Sequence, residues 1–178
     1  QAVQVGANGP IRGLRFIKIQ ALKDLMRGDV VFDAATGKLV QTADHWVRHP
    51  LRRQYQAVAF APGIDLGPDV LNLWTGFAVE PVQGDVRPWL KIVVALIPDR
   101  KRRRYFLKWL AWVVQKPGVI PGTVIILQGS KGAGKNAVVD PVLMAFGVHG
   151  MLVASARQIA GDFTAHLEDK VFVVSDEA

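Results

Sequence analysis

Gly129, Ser130, Lys131, Gly132, Ala133, Gly134, Lys135 and Asn136 fit the pattern G-x-x-x-x-G-K, the spacing of a loop that wraps phosphate. Glycines let backbone N–H groups turn inward around an anion, and a helix starting beside them adds partial positive charge. Lys135 then sets a full charge against the β- and γ-phosphates of ATP. Asn136 stands where serine or threonine usually offers a hydroxyl to Mg2+; its amide oxygen can ligate the same hard cation. A glycine-rich turn that binds nothing is the plainer alternative.

About 40 residues further on, Val171, Phe172, Val173 and Val174 form an apolar run that leads into Ser175, Asp176 and Glu177. Acidic residues at the carboxyl end of a buried strand sit where open α/β sheets place their ligands. Asp176 would hold Mg2+, directly or through water, and Glu177 would polarise an attacking water as general base. A strand ending in Asp-Glu is commonplace by itself. Spaced this way after a phosphate loop, it gains weight.

Positioning these groups requires an α/β alternation in the last third of the chain. Residues 123–127 read as a short apolar strand, and residues 135–146 as a helix that Pro141 must kink or shorten. Gly147 closes that helix, Ser155 with Gln158 forms a capping box for a short helical turn, and Asp162 starts a helix through Leu167 before the strand at residues 171–174. Upstream, residues 89–97 are predicted helical. Asp99 caps a second helix with Phe106, Trp109, Leu110 and Val113 on one face, ended by Pro117 and Gly118. Residues 1–10 read as a tail or strand fragment, and residues 15–22 as either a strand or a short helix. Val30, Val31 and Phe32 turn through residues 35–38 into Leu39 and Val40 as a hairpin. Residues 42–88 are loop-rich but carry too many aromatics for a flexible linker. Three parts follow: an accessory region over 1–88, a helical segment over 89–119, and an α/β phosphate-loop core over 120–178.

The 178 residues are half hydrophobic, enough for a buried core, and no apolar run approaches bilayer length. No cysteine is present, which removes disulfides, zinc–thiolate sites and thiol nucleophiles and fits a cytoplasmic protein. The chain begins at Gln1 with no leader pattern, so its start reads as cut. Net charge is +7 and uneven: residues 1–120 carry 18 Lys and Arg against 9 Asp and Glu, and residues 121–178 carry 4 against 6. A basic front half invites a polyanion such as nucleic acid. Arg100, Lys101, Arg102, Arg103 and Arg104 could track such a backbone, as could Arg48, Arg52 and Arg53 beside Tyr55; a solvated face is the plainer reading of both. Trp74, Trp109 and Trp112 could stack on bases, but their spacing favours core packing. His45, His49, His149 and His166 lack metal-ligand spacing and read as structural or surface residues.

Several segments then occur together in a fixed order: residues 71–77 (LNLWTGF), 107–118 (LKWLAWVVQKPG), 127–136 (LQGSKGAGKN), Phe146 to His149, and 161–178 (GDFTAHLEDKVFVVSDEA). Together they resemble the helicase portion of phage and prophage primase-helicases, members of helicase superfamily three, from about Trp46 to Ala178. The resemblance implies an AAA+-like phosphate-loop ATPase core and a helicase of phage or plasmid replication in a bacterial host cell. Its partners would be DNA, most often single-stranded, and five further copies in a ring. Lys135 matches the family's phosphate-loop lysine, Asp176 and Glu177 match its acidic pair, and asparagine after the lysine is tolerated there. The family's sensor residue, arginine finger and DNA-gripping hairpin would all follow Ala178. The expectation is therefore weak turnover by these 178 residues alone. Two other readings share part of the pattern: a small-molecule kinase, and a DNA-binding module whose loop binds phosphate without hydrolysis.

Overall fold

The structure, a computed structural model, describes residues 2–4, 15–130, 132–154 and 167–175. Chain packing divides it into two units, residues 1–55 and 56–178. The whole is mixed α/β, with five α-helices and short two-stranded sheets among the described residues. No helix among them is long and apolar enough to cross a membrane.

In the first unit, β1 (Ala2–Gln4) pairs antiparallel with β2 (Arg15–Ile17), and α1 (Ile19–Leu25) follows directly. The stretch that the sequence left between strand and helix is therefore one and then the other. The expected hairpin is present as β3 (Val30–Asp33) and β4 (Lys38–Gln41), with Phe32 opposite Leu39. Its turn is built by Asp33, whose carboxylate accepts from the Ala35 N–H at 2.9 Å and the Thr36 hydroxyl at 2.8 Å. Gly37 completes it at φ +69°, a left-handed conformation open to glycine. Helix α2 (Thr42–Arg48) lies where the sequence suggested loop, and Lys23 of α1 meets Asp44 of α2 at 2.6 Å. The hydrogen bond from Lys23 holds the Asp44 carboxyl below its ordinary value. This link is intact above the usual carboxylate range and is lost as pH falls through the lowered value.

The second unit opens with β5 (Ala57–Ala59) parallel to β6 (Val70–Asn72), both inside the stretch read as irregular. Asn72 locks the connecting loop. Its Oδ1 accepts from the N–H groups of Ala61 and Trp74, both at 3.0 Å, and its Nδ2 donates to the carbonyls of Ala61 and Ile64. Helix α3 (Arg87–Leu96) starts with Pro88 in its first turn, where a missing N–H costs nothing. Helix α4 (Arg100–Gln115) is capped as expected: Asp99 Oδ1 accepts from the Arg102 N–H at 2.7 Å. Asp99→Ala should cost about 1 kcal/mol, seen as a fall of about 3 °C or more in the unfolding midpoint by circular dichroism. An unchanged midpoint would show that the cap contributes nothing.

Helix α5 (Lys135–Phe146) runs through Pro141 over the whole expected span, so Pro141 does not shorten it. A 3₁₀ turn (Gly147–His149) leads to β7 (Gly150–Val153), which pairs in parallel with β8 (Phe172–Ser175). Val93 of α3, the α4 face Phe106, Leu110 and Val113, Val138 and Phe146 of α5, and Phe172 of β8 form one core. The helical face read from the i, i+3, i+4, i+7 spacing is thus the face that is buried, with Trp109 half-buried at its edge. The capping box at Ser155 and the helix start at Asp162 lie outside the described residues.

Candidate functional site

Residues 123–128 lead into the glycine-rich loop as neither helix nor strand. Ile125 and Leu127 pack on the core, while Val124 and Ile126 are 86% and 74% exposed. That is the alternation of a strand, but no ladder partner is present among the described residues, so the expected strand is not formed as such. Its start is pinned to α4 instead: Thr123 Oγ1 accepts from Trp109 Nε1 at 3.1 Å and lies 3.4 Å from the Tyr105 hydroxyl.

The loop turns through Gly132 at φ +80° and Gly134 at φ +84°, conformations that strain any residue with a Cβ. The Ala133 N–H donates to the Ser130 carbonyl at 3.2 Å, closing a tight turn. Gly134 is the residue before α5, and among the described residues no side chain caps the first-turn amides of that helix. Lys135 folds back over the loop and donates from Nζ to the carbonyls of Gly129 at 2.8 Å and Ser130 at 3.1 Å. Gly129, Ser130, Gly132, Ala133 and Asn136 are exposed, and Lys135 is half-buried. The arrangement collects a primary ammonium, uncapped amides and a helix amino terminus on one open surface, which suits an anionic oxygen ligand. Lys131 lies outside the described residues.

Two residues that the sequence does not single out hold this loop in place. Trp89 donates from Nε1 to the Val138 carbonyl at 3.1 Å, tying α3 to the first turn of α5. The Ile92 side chain lies under Gly134, within 3.5 Å of where a Cβ would stand. The available signal was the burial of the loop's own helix: Val138 is fully buried and needs a partner helix.

Strand β8 is the element from which the other half of the expected site would follow. Phe172 at its start stacks on Phe146 at the end of α5, with ring centroids 6.0 Å apart. Ser175 is the last described residue there, opposite Val153. Asp176 and Glu177 lie outside the described residues.

Among the described residues of this unit, His149 is the histidine built into the interior, 1% exposed. Its Nε2 accepts from the Thr75 N–H at 3.0 Å, which leaves Nδ1 to donate to the Asp169 carbonyl at 2.8 Å. The ring stacks on Trp74 at 4.7 Å and faces Phe60 at 5.3 Å. Trp74 is therefore packed as the spacing suggested. Trp112 is 40% exposed, with the Lys116 ammonium 4.3 Å above its ring.

No family model matches this chain, and no curated protein matches it. Among solved structures it is similar to the C-terminal region of NrS-1 (residues 305–718) in its apo form, at 21% identity and a TM-score of 0.59. The match covers 91% of this chain and 38% of that one, so this chain spans well under half of that region. The likeness shows a shared mixed α/β fold.

Proposed function

We propose that residues 120–178 carry the Mg-ATP site of a nucleic-acid motor, most concretely a DNA helicase or translocase of phage or plasmid replication. The observation that carries this reading is the loop itself: two left-handed glycines, an uncapped helix start and the Lys135 ammonium meet on one open surface. In this reading the amides of residues 132–136 and the Lys135 ammonium grip the β- and γ-phosphates and neutralise charge that grows during transfer. Asn136, on the exposed second residue of α5, and Asp176 would hold Mg2+, which supplies Lewis-acid polarisation of the γ-phosphoryl group. Glu177 would orient and deprotonate water for in-line attack. The sequence resemblance extends the proposal to a six-membered ring in which a neighbouring copy completes each site.

The test is ATP hydrolysis by the full-length protein, measured with and without single-stranded DNA and with no phosphoryl acceptor present. Hydrolysis that DNA stimulates by about 10-fold or more is expected, since a motor couples the two ligands. Phosphate transfer that needs a small-molecule hydroxyl would make the protein a kinase. DNA binding that ignores ATP, with no hydrolysis, would make it a passive binding module.

A further inference from the structure

We infer that one face of α4 is a nucleic-acid contact whose ligand is the phosphate backbone. Arg100, Arg103, Arg104, Leu107, Lys108 and Ala111 line an open groove of about 450 Å3 along that face. Arg100, Arg104 and Lys108 follow at intervals of four residues, so positive charge recurs about every 6 Å along the helix. That is the scale on which phosphates follow one another in a single strand. All three side chains are exposed, and none forms an ion pair among the described residues. Arg103 instead donates to the carbonyls of Ile97 and Pro98, both at 2.8 Å, and stiffens the corner between α3 and α4. Leu107 and Ala111 give the groove an apolar floor against which sugars can lie.

Helix electrostatics strengthen the case. The first turn of α4 holds no acidic residue, and its run of cations stands at the positive end of the helix dipole. The Asp99 carboxylate at the cap offsets part of this repulsion and a bound anion would offset more; local rules are broken in this way at binding surfaces. Arginine suits phosphate in particular, because its planar fork donates two parallel hydrogen bonds. The surface uses none of the residues of the glycine-rich loop, so it stands or falls apart from the nucleotide reading.

Fluorescence anisotropy of labelled oligothymidylate, without nucleotide, tests the proposal over about 50 to 200 mM salt. The triple variant Arg100→Gln/Arg104→Gln/Lys108→Gln should bind about 10-fold or more weakly at the lower salt. Its log–log salt slope should be shallower by about 2, from three phosphate contacts at about 0.7 each. A charge-matched control, Lys18→Gln/Arg27→Gln/Lys38→Gln, removes three exposed cations from the first unit and should leave the slope unchanged. Matching thermal unfolding of the two variants and the parent excludes misfolding as the cause. The proposal is overturned if the parent does not bind, or if the control weakens binding as much as the α4 variant. Displacement by polyglutamate as effectively as by unlabelled DNA overturns it too, in favour of an acidic protein partner.

Discussion

Lys135→Ala should lower the affinity for Mg-ATP by about 100-fold, corresponding to about 2.7 kcal/mol of lost charge-assisted hydrogen bonding. Its unfolding midpoint should stay within about 1 °C of the parent's, because the bonds it loses face water. Among the described residues Nζ donates to the Gly129 and Ser130 carbonyls, on exposed residues where water takes its place. Isothermal calorimetry of the two proteins, with Lys91→Ala as an exposed lysine control on α3, gives the comparison. Equal affinity for parent and Lys135→Ala would end the nucleotide reading. Loss in Lys91→Ala as well would point to general charge attraction.

Gly147→Ala acts on the fold and should be the more damaging change to stability. Gly147 ends α5 at φ +54° and ψ −117°, and its N–H bonds to the carbonyls of Leu143 and Met144. An added Cβ would stand 2.5 Å from the Ala78 Cβ, closer than real contacts allow. Ala78 cannot retreat freely, since its own N–H donates to the Ala145 carbonyl at 2.8 Å. Backbone strain and the displaced contact together cost about 3 kcal/mol, a drop of about 10 °C in the unfolding midpoint for a unit of this size. The double variant Gly147→Ala/Ala78→Gly separates the two causes. Removing the Ala78 methyl relieves the collision and leaves the positive φ, so partial recovery is expected. Full recovery would mean the backbone angle carries no strain, and no recovery would mean the collision is not the cause.

Features encoded within one turn of chain were legible in the sequence. Asp99 and the stripe Phe106, Leu110 and Val113 specify α4 because cap and face lie within a few residues of each other. The β3–β4 hairpin and the Gly147 helix end belong to the same class. Features that depend on distant partners were not legible. β5 and β6 are three residues each and exist only as a pair, and α2 lies in a stretch whose prolines and glycines suggested loop. Residues 123–127 show the converse: the sequence predicts a strand, the burial alternates as a strand should, and the ladder partner is not among the described residues. Pro141 lies in the second turn of α5, and an otherwise well-packed helix with Val138 and Phe146 buried carries it without breaking. Within the site, Lys135 and the loop glycines were legible from spacing alone. Trp89 and Ile92, which fix the loop from α3, were not, because nothing local couples residue 89 to residue 138.

His149 sets an unusual limit on how this sequence can drift. The position demands an acceptor at one end for the Thr75 N–H, a donor at the other for the Asp169 carbonyl, and a flat face between them for Trp74. Asparagine or glutamine keeps the two polar ends and gives up the aromatic face. Phenylalanine keeps the face and leaves a part-buried amide and carbonyl without these partners, at a cost of up to about 1–3 kcal/mol for each. Among the natural amino acids only the neutral imidazole meets all three requirements. A histidine that resembles a catalytic residue by its type is therefore held at this place by architecture.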